Sequence, residues 1–392
     1  MTDPVETLLQ HIRALSLGIG PRGSTTEGER RGAEYCKTQL EELGIQANIE
    51  AFMSAGSIFL PHLLASVLML TSFILYPQAG RWSAAVAFAV SLISLASQLL
   101  ELGFKDNLFR WIVPKAQSQN VVAVASPAGE HRQDLVLIGH IDTQRTPLIF
   151  RSKAWVDVYK AFTTIAFILF AAQVLFFALG WIFQWGWLWY AAIPSALGAL
   201  LLAAICVQAD LTPFTAGAND NATAVAMVLT LAEQLQYSPL QHTRVYLVCT
   251  GCEEVQHYGA IDFFKRHRLG MLHPRGLVFE MLGCAGPAWL TSEGIIVPFH
   301  ADPNLAALAE HLSRENPHWG AYPGKISGGN TEMADCLRFK VPAITLFGLT
   351  PQGDAPYWHQ VGDTFDKIVP EVLDRTYAFT LALIQEIDRS AS

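Results

Sequence analysis

Hydrophobic and polar positions fall into two regimes along the chain. Four uninterrupted apolar stretches, Ser57 to Tyr76, Trp82 to Leu100, Ala161 to Phe183 and Trp187 to Val207, approach the roughly 20 residues a helix needs to cross a bilayer. They come as two tight pairs, joined around Pro77 to Arg81 and Gln184 to Gly186. Connections this short return the chain to its starting side, so each pair predicts a helical hairpin. Trp181, Trp185, Trp187 and Trp189 gather at the turn of the second pair, the pattern of an aromatic belt at a membrane interface. Elsewhere the period changes. Short β-branched runs bounded by turns (Ile45 to Phe52, NVVAVAS, LVLIGHID, RVYLVCTG, GLVFEML and AITLFGL) alternate with helical patterns. The helical patterns are an amphipathic opening helix, Thr26 to Leu43, Asn221 to Leu235 and Gly259 to Arg268. Such alternation predicts an α/β sheet domain. The expected division is one discontinuous soluble domain, residues 1–56, 111–156 and 208–392, interrupted by membrane hairpins at 57–110 and 157–207. The soluble parts together are long enough for one well-buried core.

Composition agrees with lipid-facing segments. Of the 392 residues 51% are hydrophobic and only 15% charged, against about 25% in an average soluble protein. A net charge of −8 provides no basic field, which excludes nucleic acid as a partner. The opening MTDPVETLLQHIRALS is polar and amphipathic, without the basic start and apolar core of a secretory signal. Lys105, Arg110, Lys115, Arg151, Lys153 and Lys160 lie near span ends on the side of the soluble segments, whereas the opposite loops hold only Arg81. The positive-inside rule therefore predicts an integral, multi-pass protein with its soluble domain in the cytoplasm. The spans contain almost no ionisable residues, which argues against a transporter. Six cysteines are scattered, and the one close pair, Cys249 and Cys252, lacks the second pair of a four-cysteine zinc site, so buried thiols in a reducing compartment are expected.

Chemistry concentrates at the ends of the apolar runs. LVLIGHIDTQ ends in His140-Ile141-Asp142, placing a histidine and a carboxylate at the carboxyl end of a strand, where α/β proteins build their sites. GANDNATAVA puts Asp220 at the mouth of a helix, with Asn221 as a candidate cap. RVYLVCTGCEEVQHYGA runs a hydrophobic strand into Glu253-Glu254, adjacent acids that repel unless a cation or proton separates them. Glu280 sits within the apolar run GLVFEML, a costly place for a charge unless it is paired or bound to metal. His359 follows in APYWHQVGDTFDKI. About a dozen residues separate Asp220 from Val207, a reach of at most ~45 Å, so a site containing Asp220 is expected near the bilayer.

NVVAVAS, LIGHIDT, GANDNATAVA, TGCEEVQHYGA, GNTEMADCLRFKVPAITL and WHQVGDTFDKI, in this order, resemble the zinc exopeptidase family of bacterial aminopeptidases, glutamate carboxypeptidases and glutaminyl cyclases. The resemblance spans nearly all of the soluble part. It implies a three-layer α/β domain of the phosphorylase/hydrolase-like type with a mixed central sheet, here carrying four transmembrane helices in two hairpins. It also implies two zinc ions, or one. Asp220 would bridge them, His140 and Glu280 would complete one site, and Glu254 and His359 the other. Glu253 would be the general base that takes a proton from water and hands it to the leaving amine, and Asp142 would hold His140 in its ligating tautomer. The implied activity is hydrolysis of a terminal residue from a peptide, most simply as an aminopeptidase. Two features depart from the family pattern. Glu280 stands where Asp is common, and Gln256-His257 replaces a small, apolar pair. His257, Tyr258 and Trp358 are the expected substrate-pocket residues. Two other readings stay open. One is a glutaminyl-cyclase-like transferase with a single zinc on Asp220, Glu254 and His359, and the other is a non-catalytic receptor or scaffold on the same fold. The sequence is compatible with a homo-oligomer and does not require one.

Overall fold

A computed structural model describes residues 3–77, 80–295 and 297–391. It divides into two compact units, Met1–Gly56 with Lys115–Gln144 and Phe214–Ser392, and Ser57–Pro114 with Arg145–Pro213.

In the first unit nine strands form one mixed sheet. They are β1 (Ala47–Ala55), β2 (Lys115–Ala125), β3 (Gln133–His140), β4 (Thr243–Thr250), β5 (Arg275–Glu280), β6 (Ala288–Glu293), β7 (Phe299–His300), β8 (Tyr322–Lys325) and β9 (Ala343–Phe347). The order is β1-β2-β4-β3-β5-β9-β6-β7, with β8 beside β6. The centre, β4-β3-β5-β9, is parallel, and β1, β2 and β6 are antiparallel to their inner neighbours. All of β3 and β9 is buried, which is why these strands read as continuous apolar runs instead of alternating ones. Two groups of helices cover the sheet. Pro4–Arg13, Glu27–Glu42 and Thr223–Tyr237 pack together, and Tyr258–His267 packs with Met333–Arg338. Helix Thr223–Tyr237 lies so close on β3 that a Cβ at Gly139 would stand 2.8 Å from the Ala224 backbone.

The second unit is helical: Phe59–Leu75, Arg81–Leu102, Lys153–Phe183 and Ile193–Asp210, with short helices at Leu108–Ile112 and Leu188–Ala191. Among the described residues three helices are long and apolar enough to cross a membrane: Arg81–Leu102, Lys153–Phe183 and Ile193–Asp210. All four expected spans differ from their sequence bounds, the second by a residue or two at each end and the third by an earlier start at Lys153. The first has 17 helical residues, about 25 Å, because Ser57 Oγ accepts from Phe59 N and Leu60 N to start the helix late, and Pro77 follows its end. The last begins at Ile193 and not at Trp187, because Pro194 at the first turn starts a new helix after Leu188–Ala191. Gln78 and Ala79 of the first expected connection lie outside the described residues.

This unit buries an apolar core that includes Met69, Phe170, Phe177 and Leu202, with several polar side chains among it, and exposes apolar side chains outside. Ser66, Ser72, Ser91, Ser94 and Gln173 are buried, while Ile74, Trp82, Val86, Ile165, Ile168, Leu197 and Leu200 are exposed. Gln173 Nε2 donates to Met69 O and Ser72 Oγ, and Ser94 Oγ donates to Ala65 O, so the polar groups tie one helix to the next.

Candidate metal centre

The site is built at the carboxyl ends of parallel strands. His140 is the last residue of β3 and pairs with Thr250, the last of β4, and Glu280 ends β5 one strand further on. Asp220 comes from the loop before helix Thr223–Tyr237, Glu253 and Glu254 from the turn after β4, and His359 from the loop after β9. All six side chains are buried.

Their ligand atoms converge. His140 Nε2 lies 3.6 Å from Asp220 Oδ1 and 3.5 Å from Glu280 Oε2. His359 Nε2 lies 3.5 Å from Asp220 Oδ2 and 3.1 Å from Glu254 Oε2. Three groups have ligand atoms within 4.8 Å of one another: His140–Asp220–Glu280, Asp220–Glu254–His359 and His140–Glu253–Glu254, and Asp220 offers a different oxygen to each of the two groups that contain it. Glu253 Oε2 borders the first group, 3.8 Å from His140 Nε2.

Electrostatics mark the cluster as a cation site. Burial first, and the neighbouring Glu254 charge second, push the Asp220 carboxyl well above its ordinary range. Glu254 rises well above its range for the same two reasons, burial and then Glu253, and Glu280 is raised by burial. Asp220 Oδ2 and Glu254 Oε1 are buried without a hydrogen-bond partner. Imidazole nitrogen and carboxylate oxygen are zinc donors, so the residues present fit zinc. Glu253 behaves differently. Burial would raise it, but the charges of His257 and then His140 outweigh burial and hold it at about 2.

The frame holding these side chains is backbone stitched by polar groups. Asp142 Oδ1 and Oδ2 accept from Glu253 N and Glu254 N at 3.0 and 3.1 Å, and Oδ2 also accepts from Ser24 Oγ. His140 Nδ1 is 3.0 Å from the Asp142 main-chain oxygen and 3.6 Å from its carboxylate. Asp142 thus touches both the histidine and the Glu253-Glu254 turn. Asp363 accepts from Asn219 N and Asp220 N at 2.7 and 3.0 Å, fixing the loop that carries Asp220. The Asn221 side chain, a candidate cap in the sequence, instead accepts from Met281 N and donates to Phe279 O, while Asn219 Oδ1 accepts from Gly283 N. These bonds lock the Asp220 loop to the chain on either side of Glu280. Gln144 Nε2 donates to Glu254 O and Oε2. The buried Arg22 guanidinium donates to the main-chain oxygens of Ile141, Gly217, Ala216, Gly20 and Leu15, joining the loops after His140 and before Asp220.

Of the three expected pocket residues, His257 is buried with Nε2 3.0 Å from Glu253 Oε1. Trp358 lies against His359, with ring centroids 4.6 Å apart. Tyr258 begins helix Tyr258–His267, and Lys115 Nζ stands over its ring at 5.8 Å.

Residues 205–384, which carry Asp220, Glu253, Glu254, Glu280 and His359, match the model of peptidase family M28. This segment is similar to the M28 peptidases over somewhat less than half of the chain. His140 and Asp142 precede the matched stretch, and the sheet brings them to the M28 residues. No curated protein matches the chain in sequence. Solved structures share its fold at low identity. Glutaminyl cyclase of Tannerella forsythia superposes with a TM-score of 0.58 at 14% identity, over 97% of this chain and 98% of that one. The zinc aminopeptidase BSAP of Bacillus subtilis gives 0.58 at 12% identity, over 98% and 95%. A leucine aminopeptidase precursor of Bacteroides thetaiotaomicron gives 0.55 at 11%, over 97% and 96%. The M28 match and the buried His/Asp/Glu cluster support a metallopeptidase.

Proposed function

We propose that the protein is a membrane-anchored metallo-exopeptidase, acting as an aminopeptidase on peptide substrates, with Glu253 as general base. The observation that carries this reading is the pair of ligand groups sharing Asp220, each completed by its own histidine and glutamate. His140, Asp220 and Glu280 would hold one zinc, and Asp220, Glu254 and His359 the other. Zinc there would acidify water and polarise the scissile carbonyl. The protein's own part in the step is proton transfer and orientation. Glu253, ionised and facing the cluster through Oε2, accepts the proton of the attacking water and returns it to the leaving amine. Asp142 steadies both His140 and the turn that carries Glu253.

The second unit would embed in a lipid bilayer as two hairpins. In support, large apolar side chains such as Ile74, Trp82, Ile168 and Leu197 are exposed, and Ser66, Ser72, Ser94 and Gln173 lie buried between helices beside an apolar core, a common placement of small and polar residues between helices in lipid. Trp185, Trp187 and Tyr190, exposed at the turn between Lys153–Phe183 and Ile193–Asp210, suit a headgroup boundary. The basic residues near the span ends favour a cytoplasmic peptidase domain.

The cyclase alternative needs only the Asp220–Glu254–His359 group, so a complete second group favours the peptidase. Assaying aminoacyl-anilides beside glutaminyl peptides separates the two. Zinc-dependent release of the amine is expected, at a rate that Glu253→Gln lowers by at least about 100-fold with zinc retained. Cyclisation of glutaminyl peptides without anilide hydrolysis would replace the reading, and an active Glu253→Gln would remove Glu253 as base.

A further inference from the structure

The turn after β4 carries one more charged group than hydrolysis by Glu253 and the metal ligands needs. His257 is buried between two carboxylates, with Nε2 3.0 Å from Glu253 Oε1 and Nδ1 2.5 Å from Asp335 Oδ2. Asp335, in helix Met333–Arg338, is fully buried, and its other oxygen accepts from Arg338 Nη1 at 3.2 Å. Backbone geometry aims the ring. Gln256 N and His257 N both donate to Glu253 O, and His257 has a φ of 58°, which folds its side chain back over the residue four positions earlier. A left-handed conformation at a residue other than glycine is strained, and contacts such as the ring's two carboxylates sustain it.

The torsion that orients a glutamate carboxylate is broad, so its oxygens take fixed positions only when something outside holds them. Asp142 fixes the Glu253 main chain, and among the described residues the hydrogen-bond partner of its carboxylate is His257. The two oxygens then face different ways, Oε1 to His257 and Oε2 to His140 and the cluster. Facing carboxylates at both ring nitrogens favour N–H donation from each.

We propose that His257, braced by Asp335, is a positioning residue that donates from Nε2 to Glu253 Oε1 and thereby presents Oε2 to the attacking water. The inference rests on the reading of Glu253 as general base. His257 touches neither substrate nor metal in this scheme. It acts through Glu253, and the reaction class is unchanged.

The test compares full-length wild type, Glu253→Gln, His257→Leu and His257→Gln on one aminoacyl-anilide, with zinc content and melting temperature measured for each. His257→Leu should lose about 10- to 100-fold in kcat with KM and bound zinc close to wild type, the scale of a misplaced catalytic group. His257→Gln, whose amide can still donate to Glu253, should recover most of the loss. An unchanged kcat in His257→Leu overturns the proposal, as does a loss confined to KM or zinc content. So does a folded His257→Gln no better than the leucine variant. A readout independent of turnover is the 15N shift of His257 Nε2 in metal-free protein, expected to report a protonated nitrogen, and an unprotonated Nε2 would overturn the assignment. If Glu253→Gln is dead while both His257 variants are normal, only this inference falls. If wild type with zinc hydrolyses no terminal residue, the functional reading falls and takes the inference with it.

Discussion

At the scale of single residues, the buried carboxylates fall into those that need a cation and those that keep a proton. Asp220, Glu254 and Glu280 crowd around His140 and His359, and Asp220 Oδ2 and Glu254 Oε1 are left without a hydrogen-bond partner among the described residues. Glu293, at the end of β6, is the second kind. Burial raises it to about 8, against the partial opposition of Thr331, His257 and Ala334. Its Oε1 accepts from Ala334 N and its Oε2 from Thr331 Oγ1, which also meets Thr345 Oγ1. The sign of the pH effect follows. Below about pH 4.5 both folded and unfolded chains hold the proton, so Glu293 contributes no pH dependence. Between there and pH 8 the unfolded chain releases a proton that the folded one keeps, so wild type loses stability as pH rises, and above pH 8 the loss is complete. Glu293→Gln reproduces the neutral acid. Its unfolding free energy, from chemical denaturation at each pH, should exceed that of wild type by a margin growing from pH 5 to pH 8, on the order of a few kcal/mol at the end. A margin independent of pH would show that Glu293 ionises normally. His140, Glu253, Glu254 and Glu280 stood out in the sequence as titratable groups at the end of or within apolar runs, whereas Asp220 and His359 entered as candidate ligands only through the family resemblance. Asp363, Gln144 and Arg22 were not, because they act on main-chain atoms that only the folded chain brings near. Asp363 stood within the quoted WHQVGDTFDKI, but nothing in the string says that it caps the loop of Asp220.

Among the elements, the contact of helix Thr223–Tyr237 with β3 does most to set the site, since it joins the loop of Asp220 to the strand of His140. Gly139 permits this contact. In Gly139→Ala the new methyl meets Ala224 at 2.8 Å, so the helix must move away from the strand. A loss of about 1 to 3 kcal/mol is expected from chemical denaturation, together with weaker zinc retention, and wild-type values for both would show that the packing is slack there. The inner strands β2 to β5 and β9 were readable because burial on both faces makes them continuous hydrophobic runs. β6, β7 and β8 were not. Ala288–Glu293 mixes buried and half-buried positions, Tyr322–Lys325 contains Pro and Gly, and Phe299–His300 is two residues long. Among the helices, the shift of the last span from Trp187 to Ile193 shows that hydropathy alone overlooks a proline that starts a new helix.

The whole molecule combines a mixed α/β unit that carries the His/Asp/Glu cluster with a helical unit that exposes apolar side chains. A topology reporter fused after the last residue should read cytoplasmic, and a periplasmic signal would reverse the assignment drawn from the basic span ends. The account depends above all on the cluster being a metal site. The direct measurement is zinc bound per chain in the purified full-length protein, compared with Asp220→Ala. The account predicts about two zinc ions in wild type, from the two ligand groups that share Asp220, and near-complete loss in the variant. A folded wild-type protein that takes up no zinc when it is supplied, or an Asp220→Ala variant that binds as much as wild type, would contradict it.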